Sequence, residues 1–200
     1  MPRQTQIVGR AALMVTDIRK RVFMDVTAGI PVMPGYRDTI ELARGIADTA
    51  HACDIPGIFF QEIHRRTLID YGPGLGGSED IHCLEGGPGT PVASEEMGRA
   101  PGDYVVHKRR YSCFFGTETE ILRKGLKAET MILDAGMTDV CVHSAFVEGD
   151  QHDCRCCVVI DCVGSTSPEA HQAELTAREC LQAGAETLIA AMSAEKIAAE

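Results

Sequence analysis

Short, almost wholly apolar runs recur along this chain, and segments with helical periodicity separate them. Ala11–Thr16 (AALMVT), Pro56–Phe60, Tyr104–His107, Thr130–Ala135 and Arg155–Asp161 each read as a strand buried on both faces. Gly35–Cys53 carries an apolar stripe at Ile40, Ala43, Ile46, Ala47 and Ala50. Thr117–Leu126, Asp139–Gly149 and Ser167–Ala183 are the other helical segments. Thr117 and Glu120 stand at capping-box spacing, and a Ser or Thr precedes Pro168. Such alternation predicts βαβ units, and so an α/β fold: a three-layer α/β/α domain around a mostly parallel, Rossmann-like central sheet. No linker or repeat divides the chain, so residues 1–200 are read as one domain with its core over about 11–183.

Composition narrows the function classes. The formal net charge is −10 and the pI about 5.1, which argues against nucleic acid or an anionic membrane as partner. No apolar run reaches the roughly 18 residues of a membrane span. Met1–Arg10 lacks the apolar core of a signal peptide, so a cytoplasmic location is expected. Nine cysteines, an odd number scattered along the chain, argue against a full disulfide framework. Cys154, Cys156 and Cys157 crowd a strand rather than a turn and have no second cluster, so reduced buried thiols are expected there and not zinc.

One connection breaks the rhythm. Ile63–Gly102 is rich in glycine and proline and too long for a simple connector, which marks it as a pocket wall or lid. Its glycines lack the strand–turn–helix spacing of a nucleotide-binding loop. In an open parallel sheet, ligands bind beyond the carboxyl ends of the strands. Asp17 follows the first strand, Lys108 the third, and Cys141 the turn after Ile132–Gly136. The cysteine comes near a helix start, where backbone N–H groups and the helix dipole favour a thiolate and can hold an oxyanion. A carboxylate, an ammonium and a thiol suffice for nucleophilic acyl transfer. Taken singly, Asp17 also reads as a helix cap, Lys108 as a solvated strand end and Cys141 as a packed thiol.

Three motifs in order give these positions a family context: Val15-Thr16-Asp17, Lys108-Arg109-Arg110-Tyr111-Ser112 running on to Thr117, and Thr138-Asp139-Val140-Cys141-Val142. His82-Cys83-Leu84-Glu85-Gly86-Gly87-Pro88-Gly89 adds a fourth, with Gly87 where threonine is usual. From about Ala11 to Ala183 the chain resembles the isochorismatase-like cysteine hydrolases, a group that includes nicotinamidase, N-carbamoylsarcosine amidase and biuret and ureidoacrylate hydrolases. The resemblance implies a catalytic triad of Asp17, Lys108 and Cys141, and an oxyanion hole from the backbone amides of Met137 and Cys141. It also implies a cis peptide at Gly136–Met137. The implied reaction is hydrolysis of a small amide, carbamoyl or ureido substrate through a covalent Cys141 intermediate, with Asp17 as base for the water.

Gln61 and His64 close the second strand at the same edge and are candidate substrate contacts. Arg109 and Tyr111 are two more, with pairing to surplus carboxylates or a subunit contact as the other reading. Nicotinamidase-like members hold a metal in this region through an acid-x-His pair and later histidines. The matching residues here are Glu62, His64 and His82, an incomplete set, so neither metal nor cofactor is expected. Self-association is expected, through Phe114-Phe115 or the Ala-rich C-terminal tail. Two other functions remain open at this point: vinyl-ether hydrolysis, disfavoured by Cys141, and a non-catalytic thiol sensor, disfavoured by the joint presence of Asp17 and Lys108.

Overall fold

The computed structural model describes residues 7–24, 32, 33, 35–73, 80–177 and 181–199. Six strands form one sheet: β1 (Ala11–Thr16), β2 (Gly57–Glu62), β3 (Tyr104–Lys108), β4 (Thr130–Asp134), β5 (Arg155–Val159) and β6 (Leu181–Ala183). Every pairing is parallel and the order is β3-β2-β1-β4-β5-β6. Five α-helices accompany them: α1 (Tyr36–Ala52), α2 (Thr119–Leu126), α3 (His143–Gln151), α4 (Pro168–Ala177) and α5 (Ala185–Ala199). The chain steps outward from β1 to β3 and then crosses back to place β4 on the other side of β1. That reversal opens a crevice at the carboxyl ends of β1 and β4.

Two apolar layers sandwich the sheet, as the continuous apolar strands demand. Leu13, Val15 and Phe59 face one cluster with Ile40, Ala43 and Ile46 of α1 and Leu188 and Met192 of α5. Ala12, Met14 and Ile58 alternate onto the other face, with Phe114 and with Ala145 of α3. Gly35, in a left-handed conformation (φ 71°), opens α1. Asp38 in its first turn and His51 in its last match the helix dipole.

The strand boundaries expected from the apolar runs agree with the structure to within one or two residues. The C-terminal third differs. The helix expected over Ser167–Ala183 stops at Ala177, and Leu181–Ala183 forms a sixth, edge strand beside β5. Three residues are too few for a period of two to be visible. In the Ala-rich tail, Leu188 and Met192 are buried in the core. Phe114 is buried as well, whereas Phe115 stands 60% exposed. All eight described cysteines are free thiols. No described helix is long and apolar enough to cross a membrane.

Candidate active site

Three parallel strands deliver the candidate triad to the crevice. Asp17 directly follows β1 in a left-handed conformation (φ 55°), which turns its carboxylate toward β2. There Oδ1 accepts the Glu62 backbone N–H at 2.9 Å. Lys108 is the last residue of β3, in register with Glu62 of β2, and has no exposed surface. Its Nζ lies 2.7 Å from Asp17 Oδ2 and donates to the Arg110 carbonyl at 3.0 Å and to Cys141 Sγ at 3.5 Å. Cys141 belongs to a π-helical turn, Thr138–Val142, that runs into α3. Such turns are frequent at functional sites.

The turn after β4 explains how the sulfur reaches the crevice. Ala135 (φ 63°) and Gly136 (φ 86°) take successive left-handed conformations. Gly136 passes so close to β1 that a Cβ there would stand 3.2 Å from the Thr16 carbonyl oxygen and side chain. The expected cis bond at Gly136–Met137 is trans, since no described peptide bond is cis. The two left-handed residues make the reversal instead.

Electrostatics set the resting state. Burial pushes the Cys141 thiol well above its ordinary value, Lys108 pulls it down, and Asp17 adds to the rise as an acceptor for the thiol hydrogen. The helix start therefore does not leave a standing thiolate, contrary to the sequence expectation. Burial opposes the Lys108 charge, yet the Asp17 carboxylate outweighs it and holds the ammonium well above its usual range. Glu62 is also buried, but the His64 hydrogen bond and the Lys108 and Arg19 charges hold its carboxyl down to about 2.

A cavity of about 170 Å³ opens onto this group, lined among others by Asp17, Glu62, Tyr111, Met137 and Cys141. That is below the roughly 300 Å³ at which drug-sized sites begin, and suits a small metabolite. Of the four substrate-contact candidates, Tyr111 lines the cavity. The other three tie down the long connection that walls it. Gln61 donates to the Thr90 carbonyl at 3.0 Å. His64 pairs through its backbone with Cys83 and Glu85, and its ring packs against Tyr71, tilted by 43° with centroids 4.5 Å apart. Arg109 pairs with Asp70 at 2.9 Å and donates to the Ile63 carbonyl. Gly87, where threonine is usual, has a local explanation: a Cβ there would meet the Thr90 hydroxyl at 2.9 Å, and that hydroxyl donates to the Leu84 carbonyl at 2.8 Å.

The metal question turns on Arg19. Glu62, His82 and Cys83 each offer a ligand atom, all within 4.8 Å of one another. The Arg19 guanidinium, however, lies against Cys83 Sγ with Asp17 and Glu62 beside it. Burial pushes the Cys83 thiol up, away from the thiolate a metal requires. A cation already belongs to this place, so the trio does not fit a resident metal ion. Sequence reasoning passed over Arg19 and Arg21, which also lines the cavity. Their signal was position, two and four residues beyond Asp17 at the same sheet edge.

A family model, Isochorismatase domain, matches residues 11–191. Maleamate amidohydrolase of Pseudomonas putida is 27% identical over 182 residues, covering 83% of this chain and 78% of that protein. An isochorismatase family protein from Desulfovibrio vulgaris superposes with a TM-score of 0.80 at 21% identity, over 92% of this chain and 100% of that one. N-carbamoylsarcosine amidase from Thermoplasma acidophilum gives 0.74 at 23%, over 89% and 98%. With a crevice at the sheet's reversal point and a family match spanning nearly its whole length, the chain belongs to the isochorismatase family of hydrolases.

Proposed function

We propose that this chain is a cysteine-dependent amidohydrolase that cleaves the carbon–nitrogen bond of a small amide, carbamoyl or ureido compound. The observation that carries the reading is the Lys108 ammonium, 2.7 Å from Asp17 and 3.5 Å from Cys141 beside a small cavity. Similarity to maleamate amidohydrolase and N-carbamoylsarcosine amidase supports the class of bond.

Because the resting thiol is protonated, the reaction starts with a proton transfer. Asp17 takes the Cys141 proton as the sulfur attacks the carbonyl carbon, and Lys108 compensates the charge that develops on sulfur. The oxyanion lies at the backbone amides of Met137 and Cys141, where fixed donors stabilise it without reorganisation. Collapse breaks the carbon–nitrogen bond. The proton held by Asp17 goes to the departing nitrogen, which leaves as ammonia or an amine. Water then enters, Asp17 takes one of its protons, and hydroxide attacks the thioester or thiocarbamate. Cleavage of the carbon–sulfur bond returns that proton to the sulfur and releases the acid.

Ammonia release over a panel of small amides, carbamates and ureides tests the proposal. Cys141→Ala is expected to abolish turnover, and mass spectrometry of the active protein under substrate should detect an adduct at Cys141. Turnover persisting in clean Cys141→Ala protein overturns the assignment.

A further inference from the structure

Arg19 combines three properties that are rarely found together. Its side chain is only 8% exposed, it lines the cavity beside Asp17 and Cys141, and its Nε has no hydrogen-bond partner. The backbone holds it there: Arg19 bridges to Val92, Lys20 N–H donates to Pro91 and Arg21 N–H to Gly89. A buried N–H left unsatisfied costs free energy, and a charged one more, so such a donor is retained where a ligand completes it. Arg21 repeats the pattern, lining the same cavity with an unpartnered Nε.

The charges point the same way. Among the described residues lining the cavity, Arg19 and Arg21 face Asp17 and Glu62, and Lys108, which does not line it, pairs with Asp17. One positive charge is left over in a chain whose net charge is −10. Asp17 and Lys108 neutralise each other in an ion pair, and Glu62 offsets one of the two arginines. Among the described residues lining the cavity, no further carboxylate offsets the remaining cation. Burial raises the value of such a charge to an anionic ligand, because water screens it poorly.

We propose that Arg19, assisted by Arg21, binds a carboxylate of the substrate, so that the pocket selects short acids carrying the scissile amide or ureide at their other end. The planar guanidinium suits a carboxylate, and its place near Cys141 limits the ligand to a few carbons between acid and amide. The proposal rests on the amidohydrolase reading for the reaction but not for the binding.

Succinamate and succinamide form the test pair, since they differ only in a carboxylate against a carboxamide. Calorimetric titration of Cys141→Ser protein reads binding without turnover, and kcat/KM of the active protein reads the reaction. Succinamate is expected to bind more tightly, and Arg19→Gln should cut its advantage over succinamide roughly tenfold or more, the worth of a hydrogen bond to a charged group. If Arg19→Gln does not fold, Arg19→Lys keeps the charge, loses the guanidinium geometry, and should show the same loss of discrimination. Equal affinity of the unsubstituted pocket for the two probes, or full discrimination surviving in the Arg19 variant that folds, overturns the proposal. A pocket that prefers succinamate while the active protein releases no ammonia from any amide instead sinks the amidohydrolase reading and leaves the carboxylate site standing.

Discussion

Lys108 has no exposed surface and directs its ammonium at Asp17, the Arg110 carbonyl and Cys141. Lys108→Met removes the cation and leaves the Asp17 carboxylate without its ion-pair partner. Stranding one member of a buried pair costs about 3–5 kcal/mol. Urea melts should register that loss, and ammonia release should fall to background. In the Lys108→Met, Asp17→Asn double variant most of the stability should return and none of the activity. Recovery of activity in the double variant would contradict the roles given to both residues. The convergence of Asp17, Lys108 and Cys141 was legible in the sequence because each follows an apolar strand, and parallel strands carry their ends to one edge. Gln61, His64 and Arg109 satisfy the same rule, yet their side chains hold the long connection in place. A strand end specifies an edge of the sheet, but the partner a side chain finds there depends on a loop whose path has no periodicity.

At the scale of elements, β4 and the turn after it carry an unusual load. Asp134, the last residue of β4, is fully buried, and desolvation pushes its carboxyl up to about 8, against modest help from Cys162 and the Ala135 backbone. In the unfolded chain the group ionises near 3.8, its ordinary value. Between about 4 and 8 the unfolded state therefore holds fewer protons, and stability declines as pH rises across that window. Asp134→Asn removes the titration. Its melting temperature should match the parent near pH 4 and exceed it by several degrees at pH 8, followed by circular dichroism. An equal gap at both pH values would show that the carboxyl does not titrate in this way. Nothing in LDAGM announces this burden, because an acid closing an apolar strand looks the same whether water reaches it or not. The left-handed Ala135 was hidden for a related reason: residues other than glycine adopt that conformation only when tertiary contacts require it.

For the molecule as a whole, the apolar runs and helical stripes were enough to derive a parallel sheet with two covered faces. The edge strand Leu181–Ala183, which falls inside the helix expected over Ser167–Ala183, and the separate helix α5 that follows it were beyond that reasoning. The tail is nonetheless structural. Leu188 of α5 has no exposed surface and packs in the cluster that joins α1 to the sheet. Leu188→Ala should cost about 2–5 kcal/mol through lost burial and the cavity left behind. In a chain of this length each kcal/mol lowers the melting temperature by roughly 2–4 °C. The loss should appear in denaturant midpoints while kcat on a good substrate stays close to the parent value, since α5 lies outside the residues lining the cavity.

The protonated resting state of Cys141 has a further consequence for how such a protein endures in use. Peroxides and alkylating metabolites consume cysteines in proportion to their thiolate fraction, and burial works against the thiolate here. On the proposed mechanism, nucleophilicity arises only as a proton moves to Asp17, so the sulfur stays latent between substrate encounters, guarded against oxidative wear by the same burial that makes it hard to ionise.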